Sequence, residues 1–253
     1  MSAADFLLVD LGNTSAKLRL ADAARLLGKT RRLPTAALLA PGGAGALREA
    51  LAGWRYGRMV MSSVVPAAAR MVAEALPGVL SVGARTDTGV DLRGYPGRKT
   101  LGADRVANLV GALARHGPGP LVVVDFGTAA TFNALDAAGR FLGGTIAPGL
   151  AVVRDYLPAR GAQLPPVRLA GAGPRAIGRS TAGAIRAGML LGYRGLVREI
   201  LDAMRAELGG QARVVATGGD APFLAARGWG LFDLVDPDLT LHGLRVIAGR
   251  QRV

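Results

Sequence analysis

The feature that most constrains this fold is a repeated pattern, in which an apolar run ends in aspartate, turns at a glycine and continues as a second run. In the first copy, residues 6–20, the aspartate is Asp10. In the second copy, residues 121–135, it is Asp125, and Leu135 falls where Leu20 falls in the first. Runs of this kind joined by a glycine turn predict a β-hairpin. Two such hairpins, one opening each half, predict a duplicated fold.

The remaining pattern alternates helices with strands, which is typical of the α/β class. A helix is predicted over residues 103–115, and the segment Gly117-Pro118-Gly119-Pro120 ends it. A chain of 253 residues can form one large domain or two small ones. We therefore expect one domain over residues 1–117 and another over 118–253. The other predictions are helices over 44–53, 66–76, 182–208 and 241–250, strands over 59–65 and 214–217, and loops over 83–99 and from 150 to about 179.

Composition excludes several classes of protein. The chain has no cysteine, so disulfides and thiolate metal sites are excluded, and a reducing cytoplasm is mildly favoured. The first residues lack a basic region, and Asp10 interrupts the first apolar run, which argues against a signal peptide. No window approaches the roughly 18 apolar residues that a membrane span needs. We expect a cytoplasmic protein with no membrane partner.

The net charge of +13 raises the question of nucleic-acid binding, because a basic surface attracts phosphates. Almost all of the excess is arginine, and lysine occurs only at Lys17, Lys29 and Lys99. The arginines are dispersed, and no basic run is longer than Arg31-Arg32. This dispersal argues against nucleic acid as the main partner and fits a compositional bias equally well.

The first candidate site is the turn of the first hairpin, Asp10-Leu11-Gly12-Asn13-Thr14-Ser15-Ala16-Lys17. An aspartate at a strand end can hold a hydrated cation, and the turn offers backbone N–H groups and hydroxyls to phosphate oxygens. Lys17 adds a point charge. The alternative is an ordinary hairpin turn with a solvated lysine. The repeat at Asp125-Phe126-Gly127-Thr128 favours two phosphate loops, although neither a Walker-type nor a Gly-x-Gly-x-x-Gly motif occurs.

The second candidate site is Gly102-Ala103-Asp104-Arg105, at the start of the predicted helix over 103–115. The helix N-terminus favours an ionised carboxylate at Asp104. Such a carboxylate can accept a hydroxyl proton during phosphoryl transfer. Arg105 can bind a substrate carboxylate or the transferred phosphoryl group. The alternative is that the acidic residue only stabilises the helix.

The third candidate site is Ser180-Thr181, before the long helix predicted over 182–208. The pair can bind an anionic substrate at the helix N-terminus or act only as a cap.

The glycines at 188, 192 and 195 suggest close helix packing, either within the chain or between subunits. The segment Thr217-Gly218-Gly219 either contacts an adenosine or simply turns the chain, and His116 and His242 lack metal-ligand spacing.

The order of these motifs resembles that of the type III pantothenate kinases, also described as Bvg accessory factor homologues. Six segments occur in that order along nearly the whole chain: Asp10-Leu-Gly-Asn-Thr14, Gly102-Ala-Asp-Arg105, Asp125-Phe-Gly-Thr128, Gly143-Gly-Thr-Ile-Ala-Pro-Gly149, Ser180-Thr181 and Thr217-Gly-Gly219. The resemblance implies a duplicated ribonuclease-H-like fold of the actin-like ATPase class, with two mixed sheets flanked by helices. It also implies an active site between the halves, usually in a homodimer.

The activity implied by the resemblance is ATP-dependent phosphorylation of pantothenate, the first step of coenzyme A synthesis. Residues Asp10 to Lys17 and Thr128 would bind ATP with Mg²⁺, and Asp104 would be the general base. Asp125 would ligate K⁺ or NH₄⁺. The substrate contacts implied by the resemblance are Tyr95, Gly102, Ala103, Asp104, Arg105 and Thr181.

The chain departs from the family pattern at three places. Ser180 stands where the family usually has asparagine, and Asn133 stands where it usually has aspartate. Tyr95 lies in a Gly-Tyr-Pro-Gly segment, where many members carry an Asn-Pro pair. Two rival functions remain: an actin-like kinase for another hydroxy acid or sugar, and a regulatory protein that binds nucleotide or DNA.

Overall fold

The computed structural model describes residues 4–83, 86–171, 173 and 175–251. The strands are β1 Ala4–Leu11, β2 Ser15–Ala21, β3 Leu26–Pro34, β4 Tyr56–Ser63, β5 Val79–Ser81, β6 Leu121–Phe126, β7 Ala129–Leu135, β8 Phe141–Pro148, β9 Arg213–Thr217 and β10 Leu234–Val235. The helices are α1 Thr35–Leu39, α2 Gly43–Ala50, α3 Pro66–Ala75, α4 Ala103–His116, α5 Leu150–Arg160, α6 Thr181–Glu207, α7 Ala221–Ala225 and α8 Leu239–Arg250.

The strands form two five-stranded mixed sheets of the same design. The first has the order β3-β2-β1-β4-β5 and the second β10-β9-β6-β7-β8. In each, the opening hairpin is antiparallel (β1 with β2, β6 with β7), and the hairpin's first strand pairs in parallel with a later strand (β4 or β9). The predicted duplication into two mixed sheets flanked by helices is therefore confirmed.

The first compact unit comprises the chain up to Pro118, Gly139–Phe141 and the segment from Asp238 onward. Its central strand β1 is buried on both faces, because its run is apolar without alternation. Leu7 and Val9 pack on one side with α2 and α3 residues, whereas Phe6 and Leu8 pack on the other side with residues of α4 and α8. The motif Asp10 to Thr14 follows this rigid strand.

The second unit comprises Gly119–Ala138 and Leu142–Pro237. Its core joins one face of β6, with Val122, Val124 and Phe126, to the apolar side of α6, where Tyr193 and Val197 are buried. Burial of these apolar side chains is the main stabilising contribution of each unit.

The C-terminal helix α8 packs in the first unit, although residues 118–253 were expected to form one domain. A Cβ atom at Gly243 would lie 1.8 Å from the carbonyl oxygen of Ala107, and one at Gly111 would lie 2.4 Å from that of Leu239. Helices α4 and α8 therefore cross with their backbones in contact. Helical periodicity marks the apolar face of α8 but not the partner of that face.

Sequence analysis missed several elements, among them the short strands β5 and β10. Strand β3 and helix α1 precede the predicted helix over 44–53, and α5 occupies part of the loop predicted from residue 150. Pro158 lies inside α5, near its C-terminal end. Proline disfavours a helix interior, so the pattern predicted a loop where the helix forms.

Candidate active site

The first phosphate-loop candidate begins at Asp10, a buried residue near the end of β1. The Ser62 hydroxyl donates to Asp10 Oδ1 at 2.8 Å. Lys17 Nζ lies 3.5 Å from Asp10 Oδ2. Both partners are set by register, because Asp10 pairs with Lys17 across the hairpin and with Ser62 on parallel strand β4. The carboxylate is thus held in one orientation, and Lys17 is aimed at it.

The tip of this hairpin is exposed and is braced from its base. The Gly12 amide donates to the Ser15 carbonyl oxygen at 3.1 Å. Thr35, the first residue of α1, donates its hydroxyl to the Gly12 carbonyl oxygen at 2.7 Å and its amide to the Thr14 carbonyl oxygen at 3.0 Å. Asn13 and Thr14 are exposed between these anchors. The arrangement presents a rigid polar turn to a ligand.

The second motif begins α4, as predicted, with Gly102 as the N-cap and Asp104 in the first turn. The Arg105 amide donates to Asp104 Oδ1 at 2.7 Å. A Cβ atom at residue 102 would lie 2.5 Å from the same oxygen, so glycine leaves room for the carboxylate.

The electrostatics of Asp104 differ from the expectation based on its helix position. Burial, with the negative charge of Asp10 adding to it, raises the pKa of Asp104 above its ordinary value. The Arg105 amide and guanidinium oppose this rise. The helix start does favour the ionised form, but desolvation outweighs it. The effect of Asp10 means that the structure brings these two predicted site residues within electrostatic range of each other.

Tyr95 and Arg105 both contact the ring of Phe141, which is 2% exposed. The Tyr95 ring meets it edge-on, with centroids 4.9 Å apart and an interplanar angle of 64°. The Arg105 guanidinium carbon lies 5.8 Å from its centroid. The two side chains expected to contact substrate are thus joined through a residue outside every motif.

The second loop candidate lies at the end of β6, where Asp125 pairs in register with Thr217 on β9. A Cβ atom at Gly218 (φ +94°) would lie 2.5 Å from Asp125 Oδ1, so only glycine permits this approach. The Thr217 hydroxyl is fully buried, and it has no hydrogen-bond partner within the described part of the chain. A carboxylate and a buried hydroxyl on adjacent strands supply the oxygen ligands that hard cations prefer.

The turn after Asp125 contacts the start of α5. The Gly149 amide donates to the Thr128 carbonyl oxygen at 3.1 Å. A Cβ atom at Gly149 would lie 2.2 Å from the Gly127 carbonyl oxygen. The last glycine of the segment Gly143–Gly149 is therefore needed for close packing. Thr128 itself is exposed at this turn.

A polar cluster adjoins the second loop. The Asp220 amide donates to the Phe126 carbonyl oxygen at 3.2 Å. Burial raises the pKa of Asp220, and Arg154 opposes the rise. Burial, and then the charge of Asp220, raise the pKa of Tyr193. Sequence analysis missed this cluster, because its members lie on three separate elements.

Ser180 caps α6, as the third motif suggested, since its hydroxyl accepts a hydrogen bond from the Gly183 amide at 3.0 Å. Thr181 is exposed in the first turn. A Cβ atom at Gly188, Gly192 or Gly195 would meet no atom within 4 Å. Close packing of these glycines within the chain is therefore excluded for the described residues.

A cavity of about 550 Å³ lies elsewhere in the second unit, lined by α6, α7 and the segment before α6. Its larger side chains are Leu190, Leu191, Arg194, Phe223, Arg227 and Trp229. None of the predicted site residues lines it.

Over the described residues, no group of three or more His, Asp or Glu side chains could hold a metal ion. Within the same residues, no helix is both long and apolar enough to cross a membrane.

Sequence analysis also missed Ser62 and Phe141. The signal for Ser62 was a serine within the apolar run of β4, at a strand end like that of Asp10. Phe141 carried no signal, because a phenylalanine at a strand start is an ordinary core residue.

The two mixed sheets, each opened by a hairpin, give the chain the fold of the actin-like ATPases. An inorganic polyphosphate/ATP-glucomannokinase from Arthrobacter superposes with a TM-score of 0.52 at 15% identity, covering 97% of each chain. A Campylobacter jejuni protein assigned to the Baf family of transcriptional activators has a TM-score of 0.62 at 21% identity, covering 95% of this chain and 96% of its own.

Sequence comparison identifies the family within this class. The model of the type III pantothenate kinase family matches residues 6–203. The type III pantothenate kinase of Akkermansia muciniphila is 45% identical over 251 residues, which cover 96% of this chain and 98% of that protein. The chain belongs to the type III pantothenate kinase family.

Proposed function

We propose that the chain transfers the γ-phosphoryl group of ATP to the primary hydroxyl of pantothenate, giving 4′-phosphopantothenate and ADP, with Asp104 as the general base. The family match over residues 6–203 carries the substrate assignment, and the environment of Asp104 supports its role as the base. Burial raises its pKa, which suits a base, and Arg105 lies next to it on the same helix turn. The hydroxyl proton passes to the Asp104 carboxylate as the oxygen attacks phosphorus, and ADP leaves.

The ATP contacts proposed are residues Asp10 to Lys17 and Thr128. The braced turn at Gly12 and Thr14 supports this role, since rigid amides and hydroxyls bind phosphate without a further loss of loop entropy. Mg²⁺ arrives with ATP and neutralises charge on its phosphates. Asp10, held by Ser62, is placed at the strand end where a hydrated cation can be bound.

The pantothenate contacts proposed are Tyr95, residues 102–105 and Thr181. Arg105 supplies a guanidinium for the carboxylate of pantothenate. Thr181 lies in the first turn of the 27-residue helix α6, where backbone N–H groups favour an anion. Ser180 already caps that helix through Gly183, so its difference from the usual asparagine preserves the cap.

A monovalent cation, K⁺ or NH₄⁺, is proposed at Asp125. The donor set fits, because the Asp125 carboxylate is approached by the Gly218 backbone and lies in register with the buried Thr217 hydroxyl. The cation supplies positive charge beside the phosphates at this loop. Asp125 and Thr217 hold it, and Thr128 contacts phosphate from the same turn.

A homodimer acting in the cytoplasm is also proposed. Gly188, Gly192 and Gly195 leave a surface of α6 without side chains, and Leu191 beside them is 41% exposed. An exposed apolar side chain beside a bare backbone surface suits helix packing between subunits. Use of ATP and the absence of cysteine suit the cytoplasm. Sedimentation of the purified protein tests the first point, and cell fractionation the second.

The decisive experiment is a coupled ADP-release assay with pantothenate, ATP, Mg²⁺ and K⁺. We expect turnover with pantothenate and little with a panel of other hydroxy acids and sugars. The rival regulatory function is favoured by the charge of +13 and predicts tight, salt-sensitive DNA binding without turnover. Turnover with another panel member only would identify a different kinase of the same class.

A further inference from the structure

The segment Gly139–Phe141 belongs to the first unit, although the chain on both sides of it belongs to the second. Its backbone is tied to the loop that carries Tyr95. Arg140 forms an isolated parallel bridge with Asp91, and the Phe141 amide donates to the Asp91 carbonyl oxygen at 3.0 Å. The first residue of β8 is thus anchored on a loop that belongs to neither sheet.

The loop at Asp91 is ordered by a small set of local contacts. The Asp91 carboxylate accepts two hydrogen bonds from the Arg93 guanidinium, at 3.0 and 2.9 Å. It accepts a third from the Arg93 backbone amide at 3.0 Å. The amides of Tyr95, Arg98 and Thr100 donate to the carbonyl oxygens three residues earlier. These are exposed turn contacts, which open readily by themselves. The ring of Phe141 is the buried group that Tyr95 meets, whereas Leu92 of the same loop packs on the core of the first unit.

We infer that Phe141 is a positioning residue for the substrate site, and that its ring holds Tyr95 and Arg105 in the arrangement that receives the anionic substrate. The ring meets Tyr95 edge-on and lies under the Arg105 guanidinium, and both geometries are favourable for aromatic groups. Tyr95 lies on a loop and Arg105 on α4, so the ring couples two elements that no other described aromatic contact joins. The inference rests on the proposed function, in which these two residues contact pantothenate.

The test replaces the ring with an aliphatic side chain. Phe141→Leu keeps apolar volume but removes both the aromatic pair and the cation–π contact. We expect the KM for pantothenate to rise about tenfold, while the KM for ATP stays within about twofold. The matched control is Phe132→Leu, because Phe132 is equally buried and also meets another ring edge-on, in the second unit. An equal rise in both KM values, or the same pattern in both variants, would overturn the inference.

A second measurement decides the inference without turnover. Hydrogen exchange of the ligand-free protein reports on the Tyr95, Arg98 and Thr100 amides. Their exchange rates should rise in Phe141→Leu and stay the same in Phe132→Leu. Unaltered exchange at these amides in Phe141→Leu would overturn the inference. If the unaltered protein does not phosphorylate pantothenate, the proposed function fails, and the exchange result still supports or refutes the positioning role.

Tyr95→Leu provides a route that leaves the buried ring in place, in case Phe141→Leu does not fold. Where Phe141→Leu folds, it can be combined with Tyr95→Leu in a double variant. If the two rings act as a unit, this double variant should raise the pantothenate KM by clearly less than the product of the two single effects. Where Phe141→Leu does not fold, Tyr95→Leu alone should accelerate exchange at the Arg98 and Thr100 amides. Normal exchange there would count against the ring contact as the anchor of the loop.

Discussion

The negative charge of Asp10 adds to the larger effect of burial in raising the pKa of Asp104. The two aspartates nevertheless have different partners. Asp10 is held by Ser62 and Lys17, whereas Asp104 accepts a hydrogen bond from the backbone amide of Arg105. A paired carboxylate suits cation binding, and a desolvated one suits proton transfer.

Asp104→Asn is expected to lower kcat by about 10²–10⁴-fold, because asparagine keeps the size of the side chain but cannot accept the hydroxyl proton. ATP affinity should change little. Steady-state kinetics and calorimetric titration with ATP measure the two quantities. Asp155→Asn is the control, since Asp155 is exposed and forms a surface ion pair with Arg154. A near-normal kcat in Asp104→Asn would exclude the residue as the base.

The raised pKa of Asp104 also predicts the pH dependence of stability. A carboxyl group whose folded-state pKa is raised stabilises the fold below its unfolded pKa, and this contribution is lost as pH rises through the folded pKa. At neutral pH the unaltered protein therefore carries an unfavourable, partly desolvated charge at Asp104. Asp104→Asn should be at least as stable at pH 7, and its Tm advantage should shrink as pH falls toward 4. A Tm advantage that instead grows on acidification would contradict this environment.

Ser62→Ala is expected to weaken ATP binding and to lower stability by about 1–3 kcal/mol, because the buried Asp10 carboxylate loses a hydrogen-bond donor. Thermal unfolding and the KM for ATP are the measurements. Ser63→Ala is the matched control, because the next hydroxyl on the same strand bonds the Val65 backbone. Equal ATP KM values in the two variants would show that Ser62 does not organise the loop.

Asp125→Ala is expected to remove both the dependence on K⁺ or NH₄⁺ and most of the activity. The reason is that the carboxylate and its cation act together beside the phosphates, so neither is useful alone. Initial rates in K⁺, NH₄⁺, Na⁺ and a bulky organic cation measure the effect. If the unaltered enzyme turns over equally well with the organic cation alone, no monovalent site is needed.

Gly243→Ala should destabilise the first unit by at least about 1–3 kcal/mol, because the new methyl would meet the Ala107 carbonyl oxygen at the crossing of α4 and α8. Gly249→Ala, on the same helix with no atom within 4 Å, should instead raise stability by about 0.5–1 kcal/mol through helix propensity. Urea unfolding measures both changes. Similar effects of the two substitutions would mean that the helices do not cross here.

The repeated hairpin was predictable from the sequence because its signals are local. The apolar run before Asp10, the glycine turn and the returning strand all lie within one stretch of chain, and the same pattern returns at Asp125. The start of α4 at residue 103 and the Ser180 cap were predictable for the same reason, since caps depend on neighbouring residues. The motifs at these local structures also identified the family.

Only the tertiary structure decided which distant residues meet. Ser62 reaches Asp10 through the register of two parallel strands, and Phe141 reaches Tyr95 and Arg105 through the return of a short segment to the first unit. Helix α8 likewise finds its partner through the packing of glycine surfaces. Such contacts depend on how buried surfaces fit together in three dimensions. Local periodicity shows which residues are buried, but it does not show against what they pack.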